Sequence, residues 1–406
     1  ALRDNTTANY NVAVGREAML VNTTGIQNVA VGALALDANT TSNNNTAVGY
    51  SALTANTTGT RNTAVGTLAL QSITTGTNST AIGYEALYYS TGSSNTAVGA
   101  RCLDANTTGQ QNVAIGEHAL GSNTTASNNT AVGTNSLDAN TTGTDCTAVG
   151  TEALGQNTTG NNNTAVGKDT LQANTTGANN AGFGAFALDA STTGSKNTGI
   201  GIGSLGSNTS ASSNTAVGFD ALFSNTTGSH HTALGESAGF SNTIGNRNTA
   251  LGYTAGYTNT AGDNNTSVGM AALYYNTASN NTAVGRNALL SNTTGYISTA
   301  VGAYALDANT TGAFNDAFGG YSLSANTTGN YNVAFGYGSL QTNTTSSYNT
   351  ALGHQALQVS TGAENTAVGT NALLSNTTGT QNTAVGVFAL DANTTGLRNT
   401  AVGYSA

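Results

Sequence analysis

The fold is decided by a stretch that recurs throughout the chain, Asn45-Thr46-Ala47-Val48-Gly49, which returns as Asn62-Thr63-Ala64-Val65-Gly66. The glycine that ends this motif, or a close variant of it, occurs 24 times from Gly15 to Gly403. Successive glycines are 17 residues apart in 20 intervals and 16 residues apart in three, over a span of 388 residues. Tandem units of constant length are typical of solenoids, in which each unit stacks on its neighbour.

The repeat follows the consensus N-T-A-V-G-x-x-A-L-x-A-N-T-T-G-x-x, whose positions are numbered as columns 1 to 17. Column 2 is mostly Thr or Val, column 3 is nearly always Ala, and column 4 is always β-branched or bulky and apolar. This alternation predicts a strand with columns 2 and 4 on one face and column 3 on the other. Column 5 is always Gly, which predicts a corner with positive φ. Column 9 is Leu in 20 of 23 complete repeats, the exceptions being Met19, Gly239 and Gly256.

Charged residues are confined to a few columns of the repeat. Beyond Arg3 and Asp4 in the incomplete first repeat, 25 charged residues remain, and all except Asp316 occupy columns 6, 7, 10, 16 and 17. Because burial excludes unpaired charge, these five columns are predicted to face solvent. The three 16-residue repeats leave the next NTAVG motif intact, so the missing residue is predicted to lie in a loop, with the strands holding the register.

These patterns predict an all-β fold, a parallel β-solenoid or β-roll of about 24 turns with 17 residues per turn. We expect two or three short strands in each turn and one continuous repeat domain over residues 1–406. Since the sequence begins inside a repeat, we also expect it to be part of a longer chain. A helical solenoid would need repeats of about 33 to 47 residues, and Asn, Thr and Gly oppose helix formation. A disordered chain would not keep Val and Leu in fixed columns.

Composition excludes several classes of function. The chain of 406 residues has no Pro, only 7% charged residues and a net charge of −9. An acidic chain without clustered Lys and Arg is not expected to bind nucleic acid. No stretch is long and apolar enough to predict insertion into a membrane. Two cysteines are too few for a disulfide framework.

The histidines do not form a recognisable site. His118 and His354 occupy exposed columns about fourteen turns apart, so they cannot share a ligand. His230 and His231 are adjacent, and we expect them to lie on a strand and to point to opposite faces. A structural or surface role is favoured over metal binding for this pair.

The cysteines and the aspartates give no site either. Cys102 and Cys146 fall in different columns and between two and three turns apart, which predicts two free thiols.

Column 10 is Asp in six repeats that are never adjacent, a spacing that predicts solvated turn residues rather than a calcium roll (Asp37, Asp104, Asp138, Asp189, Asp307 and Asp391). No phosphate loop or Ser-His-Asp set is present. We therefore assign no catalytic, cofactor-binding or metal-binding residue and expect neither a cofactor nor enzymatic activity.

Columns 12 to 14 match the N-glycosylation sequon in most repeats, as at Asn22, Asn56 and Asn376. The favoured interpretation is a structural ladder, in which identical side chains of successive turns bond to one another. Dense glycosylation remains the alternative. The core of one turn is thin, and small Ala residues in columns 3 and 8 would let a second chain approach, so we expect self-association.

The segment Asn112-Val113-Ala114-Ile115-Gly116, with Asn11–Gly15 and Asn28–Gly32, resembles the repeat of trimeric autotransporter adhesin heads. The fuller NTAVGYxAL…NTTG pattern is similar to repeat shafts of phage tail fibres. The resemblance implies a left-handed parallel β-roll with three chains to a fibre. It also implies that columns 2 and 4 fill each coil's core and that small residues lie near the trimer contact. The period of 17 and the Leu of column 9 depart from the adhesin pattern.

The favoured function is that of a structural and adhesive fibre, a rigid shaft or head at the cell surface, in the extracellular space or on a virion. Its expected partners are further copies of itself, in a homotrimer, and a surface glycan or receptor. Tyrosines in columns 6 and 7 are candidates for weak glycan contacts (Tyr50, Tyr84, Tyr253, Tyr304, Tyr321, Tyr337 and Tyr404). The alternative is an ice-binding solenoid with Thr ladders. A third hypothesis is an enzyme that cleaves polysaccharide with an unrecognised carboxylate pair.

Overall fold

A computed structural model describes all 406 residues and contains 24 β-strands of three residues each and no helix. The chain forms two compact units, Ala1–Gly203 and Ser204–Ala406, with twelve strands apiece. The first unit contains β1 (Val12–Val14), β2 (Val29–Val31), β3 (Thr46–Val48), β4 (Thr63–Val65), β5 (Thr80–Ile82), β6 (Thr96–Val98), β7 (Val113–Ile115), β8 (Thr130–Val132), β9 (Thr147–Val149), β10 (Thr164–Val166), β11 (Ala181–Phe183) and β12 (Thr198–Ile200). The second contains β13 (Thr215–Val217), β14 (Thr232–Leu234), β15 (Thr249–Leu251), β16 (Thr266–Val268), β17 (Thr282–Val284), β18 (Thr299–Val301), β19 (Asp316–Phe318), β20 (Val333–Phe335), β21 (Thr350–Leu352), β22 (Thr366–Val368), β23 (Thr383–Val385) and β24 (Thr400–Val402).

Within each unit every strand pairs in parallel with the next strand along the chain. The pairs join identical columns, as in β9 and β10, where Thr147 is opposite Thr164 and Val149 is opposite Val166. The register is unchanged across a 16-residue repeat, where Thr80 is opposite Thr96. The parallel β-solenoid and the placement of the missing residue outside the strands are therefore confirmed.

Each turn contributes one strand, so the expectation of two or three strands per turn was wrong. The reason is a left-handed backbone at three non-glycine columns, 7, 9 and 17, as at Glu152 (φ 59°), Leu154 (φ 52°) and Asn162 (φ 56°). These residues turn the chain too sharply for extended structure. Their N–H groups still donate to the neighbouring turn, for example from Leu154 to the carbonyl of Thr170 at 3.0 Å. Stacking thus continues around the corners without strands.

The core of each turn consists of the Ala of columns 3 and 8 and the Leu of column 9. Ala148, Ala153 and Leu154 illustrate this set, and all three are fully buried. The predicted alternation along the strand is confirmed, but the expectation that columns 2 and 4 fill the core was wrong. The Leu side chain and the buried Asn side chains occupy the narrow interior. Only a methyl group fits opposite them, so the strand turns its larger side chains outward.

No Asp, Glu, Lys or Arg side chain is buried in the chain. This agrees with the prediction that the charged columns face solvent. The largest buried polar set is Asn, which is uncharged and carries both a donor and an acceptor. A thin coil can enclose such groups because each turn supplies partners for the next.

Candidate functional surfaces

Within each unit, the outward side chains of columns 2 and 4 form a continuous surface, called the outer strand face. In the first ten strands, β1 to β10, this face contains only Thr, Val and Ile. Column 2 is Thr in 18 of the 24 strands, and the only charged residue on the face is Asp316. Neighbouring strands lie about 4.8 Å apart, so the Thr and Val side chains form two parallel rows.

Apolar side chains on the outer strand face are accessible. Ile82 is 41% exposed, Ile115 is 40% exposed and Val149 is 36% exposed. Large contiguous apolar surfaces are uncommon on monomeric soluble proteins and mark sites of interaction. The resemblance to adhesin heads implied that these columns lie inside the coil, whereas their side chains lie on its outside. The outer strand face is therefore the leading candidate for a functional surface.

The Asn of column 12 forms a buried side-chain ladder. The Asn157 amide donates to Oδ1 of Asn140 at 2.9 Å and to the carbonyl of Gly160 at 3.1 Å, and its own Oδ1 accepts from Asn174 at 2.8 Å. These three contacts lie inside the coil, where Asn157 is fully buried. The ladder interpretation is confirmed. An attached glycan would replace one of the two Nδ2 hydrogens that the ladder uses and would not fit in the core.

A second Asn ladder occupies column 1, immediately before each strand. The Asn163 amide donates to the carbonyl of Gly177 at 2.7 Å, and its Oδ1 accepts the N–H of Asn180 at 2.9 Å. The accessible sequons lie elsewhere, in column 17, and were not predicted; their signal in the sequence is an Asn two residues before the Thr of column 2. These exposed Asn residues are Asn44, Asn78, Asn128, Asn162, Asn264 and Asn280.

His231 replaces the Asn of column 1 and takes over its hydrogen bonds. Its ring Nδ1 accepts the backbone N–H of Asn248 at 3.1 Å, and its backbone N–H donates to Oδ1 of Asn214 at 2.9 Å. Burial lowers the pKa of His231, which favours the neutral ring. His230 is exposed with φ of 65°, so neither residue lies on a strand as expected, although one points inward and one outward. The structural role predicted for the pair fits this geometry.

We expect acid to destabilise the second unit at His231. A folded pKa below the unfolded value of about 6.5 means that stability is complete above that pH and is lost as the pH falls. The loss is up to about 1.4 kcal/mol for each pH unit below about 6.5. His231→Asn restores the ladder residue and should remove this dependence. Hydrogen exchange of the Asn248 amide reports local stability in the unaltered protein and in His231→Asn. If both proteins lose the same stability as the pH falls, the acid sensitivity does not come from His231.

Both cysteines are buried free thiols, as predicted. Burial raises the pKa of Cys102 to about 12 and that of Cys146 to about 11. The thiolate is the reactive form of cysteine, so neither thiol is poised for nucleophilic or redox chemistry. The Cys146 thiol lies 3.3 Å from the carbonyl of Gly160, where an Asn amide would otherwise donate. Both residues serve as small core side chains.

The column-10 aspartates are half-buried and do not converge. Burial raises the pKa of the carboxyl groups of Asp104, Asp138, Asp189 and Asp307. Nowhere in the chain do three His, Cys, Asp or Glu side chains come together in a metal-binding arrangement. His118 is half-buried and His354 is exposed, in different units.

The second unit carries stacked aromatic side chains in successive turns. Phe223, Phe240, Tyr257 and Tyr274 of column 10 form one ladder, with ring centroids 5.5, 5.2 and 4.9 Å apart and nearly parallel planes. Two of these rings adjoin Gly239 and Gly256, the column-9 positions without Leu. The missing side chains leave a cavity with room for about one water molecule. The faces between successive rings are covered by the neighbouring ring of the stack.

Other column-6 and column-7 tyrosines are accessible as predicted, namely Tyr50, Tyr84, Tyr253, Tyr321, Tyr337 and Tyr404, while Tyr304 is half-buried. Tyr304 and Tyr321 stack at 5.1 Å. Scattered rings of this kind do not form a single site.

Comparison with known proteins found no protein-family model and no curated protein that matches this chain. None of its segments forms an apolar helix long enough to cross a membrane.

Proposed function

We propose that this chain is a structural fibre segment whose copies associate through the outer strand face. The observation that carries the proposal is the charge-free surface of Thr, Val and Ile along β1 to β10. Two such faces can meet in a dry contact, in which β-branched side chains of regularly spaced strands interdigitate. The resemblance to adhesin heads and tail-fibre shafts favours three copies, displayed on a cell or virion surface.

A fibre shaft needs stiffness, and the coil supplies it turn by turn. Each turn is tied to the next by backbone hydrogen bonds at the strand and at the corners, and by two Asn ladders. Stability in such arrays depends mainly on contacts between neighbouring turns. The length of a fibre of this kind therefore increases with the number of repeats, at little cost to its stability. Attachment to a glycan or receptor would then occur at a distance set by repeat number.

We expect charge on the outer strand face to dissociate the assembly. Light scattering should give about three times the chain mass of 40.2 kDa for the unaltered protein. The triple variant Ile82→Lys, Ile115→Lys and Val149→Lys should shift to 40.2 kDa, because each ammonium group would have to be desolvated in the contact. Far-UV circular dichroism should be unchanged, since these side chains point away from the core.

The matched control adds the same three charges to column 6, with Thr67→Lys, Thr134→Lys and Thr151→Lys at exposed positions. This variant should keep the mass of the unaltered protein. A monomeric unaltered protein, or an assembly that survives the first triple variant, would contradict association through this face.

Ice binding is the second candidate function, and one observation favours it. Thr in column 2 and a β-branched or other apolar residue in column 4 form regular rows on an extended parallel sheet. Such a surface can order water in a repeating pattern. The Thr-Thr pair of columns 13 and 14 is less suitable, because the column-13 hydroxyl is used within the coil, as from Thr158 to the carbonyl of Thr175 at 2.9 Å. Thermal hysteresis that the face triple variant abolishes and the column-6 variant keeps would establish this function in place of the fibre.

A further inference from the structure

A cleft in the first unit lies where one repeat is a residue short. The repeat between Gly83 and Gly99 has 16 residues and carries adjacent tyrosines in columns 10 and 11. The cleft has a volume of about 290 Å³ and is lined by Glu85, Tyr88, Tyr89, Arg101, Asp104 and His118. This size is at the lower end of the range for small-molecule sites, which suits a compact ligand.

The two tyrosines form a right-angled aromatic corner. The ring centroids of Tyr88 and Tyr89 are 4.5 Å apart and the ring planes meet at 83°. Tyr89 is 58% exposed, so its ring is available to a ligand. The face of an aromatic ring carries negative potential and attracts cations. Perpendicular rings can therefore contact one cationic group from two sides.

The charges of the cleft also favour a cation. Arg101 is neutralised by Glu85, whose Oε2 lies 2.9 Å from Nε, and its guanidinium lies 5.7 Å from the ring centroid of Tyr84. Asp104 makes no ion pair. Because Glu85 and Arg101 offset each other, the half-buried carboxylate of Asp104 is the acidic group of the cleft that has no cationic partner.

We propose that this cleft binds an organic ammonium group of the trimethylammonium type found in choline, with Tyr88 and Tyr89 as aromatic walls and Asp104 as counter-ion. Aromatic walls suit a quaternary ammonium group because it is bulky and weakly hydrated, and because it needs no hydrogen-bond acceptor. A neutral sugar could stack on Tyr89, but it has no positive charge to pair with Asp104 or to be attracted by the ring faces. This inference does not depend on the fibre proposal.

The chain itself offers a comparison site. The repeat between Gly269 and Gly285 is also one residue short and has the pair Tyr274–Tyr275, with centroids 4.7 Å apart and planes at 72°. There Tyr257 covers one face of Tyr274, and the following repeat has Asn287 and Leu290 in columns 7 and 10. It has the aromatic corner without the carboxylate.

The test is a calorimetric titration with choline chloride and with 3,3-dimethylbutan-1-ol, its uncharged counterpart of the same shape. We expect choline to bind with a Kd on the order of 1 mM and the alcohol to bind at least about 10-fold more weakly. Saturation-transfer NMR should detect the N-methyl protons of bound choline. Sedimentation with phosphatidylcholine vesicles separates a lipid headgroup from a soluble choline compound as the natural source.

Asp104→Asn and Tyr89→Leu should each weaken choline binding about 10-fold. Asp307→Asn and Tyr275→Leu are the matched controls and should leave it unchanged. Circular dichroism and thermal unfolding of each variant show that the coil is intact. Equal binding of choline and the alcohol, binding that persists in Asp104→Asn, no binding of choline, or binding of methyl glucoside in its place would each overturn the proposal.

Discussion

Gly319→Ala should strongly destabilise the second unit. Gly319 has φ of 127°, which L-residues rarely adopt, and an added Cβ would lie 2.7 Å from both the carbonyl carbon and the oxygen of Gly336. Backbone strain and overpacking together should cost about 4 kcal/mol. The atoms in the way belong to the stacked backbone of the next turn and cannot rotate aside. We expect a lower unfolding temperature and faster amide exchange around β19 and β20.

Gly320→Ala is the matched control, one residue along the chain. Its added Cβ would lie 3.5 Å from Cδ2 of Tyr337, an ordinary contact, and its backbone is not in the left-handed region. The substitution should be neutral or should stabilise the fold by about 0.5 kcal/mol, because Ala lowers the conformational entropy of the unfolded chain. Equal effects of the two substitutions would contradict a specific requirement for Gly in column 5.

At the corner of column 15, glycine is frequent but not invariant, and the backbone there does not strictly require it. An added Cβ at Gly109 would approach the carbonyl oxygen of Ala126 to 2.2 Å, which suggests that Gly is required. However, column 15 is Ala at Ala126, Ala211 and Ala278, and the turns of Ala126 and Ala278 keep the same register. The neighbouring turn therefore adjusts at this corner. Column 5, which is Gly in every repeat, combines close approach with positive φ.

The repeat pattern predicts the stacking of turns because each column must meet itself in the next turn. It does not predict which strand face points inward, since the alternation at Thr147, Ala148 and Val149 is compatible with both choices. The choice follows from interior volume, and the buried Leu154 and Asn157 leave room only for the methyl group of Ala148. Left-handed corners escaped prediction for a similar reason, because columns 7 and 17 carry ordinary residues such as Glu152 and Asn162.

The ammonium site could not be predicted from a motif, because its residues come from three successive repeats. The Tyr88–Tyr89 pair was visible as the mark of a short repeat, and Asp104 as a turn residue. Only stacking brings Glu85, Arg101 and His118 of column 7 beside them. His231, by contrast, was visible in the sequence as the single His in a column dominated by Asn. Comparing each unusual residue with its column would have suggested its role.

Asn157→Asp should destabilise the first unit by about 3 to 5 kcal/mol at neutral pH. The substitution keeps the size of the side chain but replaces the Nδ2 donor with an oxygen. That oxygen would face Oδ1 of Asn140 and the carbonyl of Gly160, at present 2.9 and 3.1 Å from Nδ2. Two pairs of acceptors would meet, and a carboxylate would be buried without a cation. Urea unfolding should show the loss as a lower midpoint.

The same variant should recover stability in acid. Burial without donors raises the pKa of the introduced carboxyl above its unfolded value of about 3.9. For an acid with a raised folded pKa, stability is greatest below the unfolded pKa and declines as the pH rises through the folded one. The difference from the unaltered protein should therefore shrink as the pH falls and should be smallest below about pH 4. A difference that is independent of pH would show that packing, rather than the donor, is what the ladder requires.

Asn161→Asp is the control for charge alone, four residues further along. Asn161 is exposed, and its Oδ1 accepts the N–H of Thr144 at 2.7 Å, a bond that an Asp carboxylate keeps. Asp263 makes this bond naturally in the same column, to the N–H of Asn246 at 2.6 Å. Asn161→Asp should therefore leave the urea midpoint unchanged. The contrast between the two substitutions follows from hydrogen-bond direction, because column 12 must donate to the coil whereas column 16 needs only to accept.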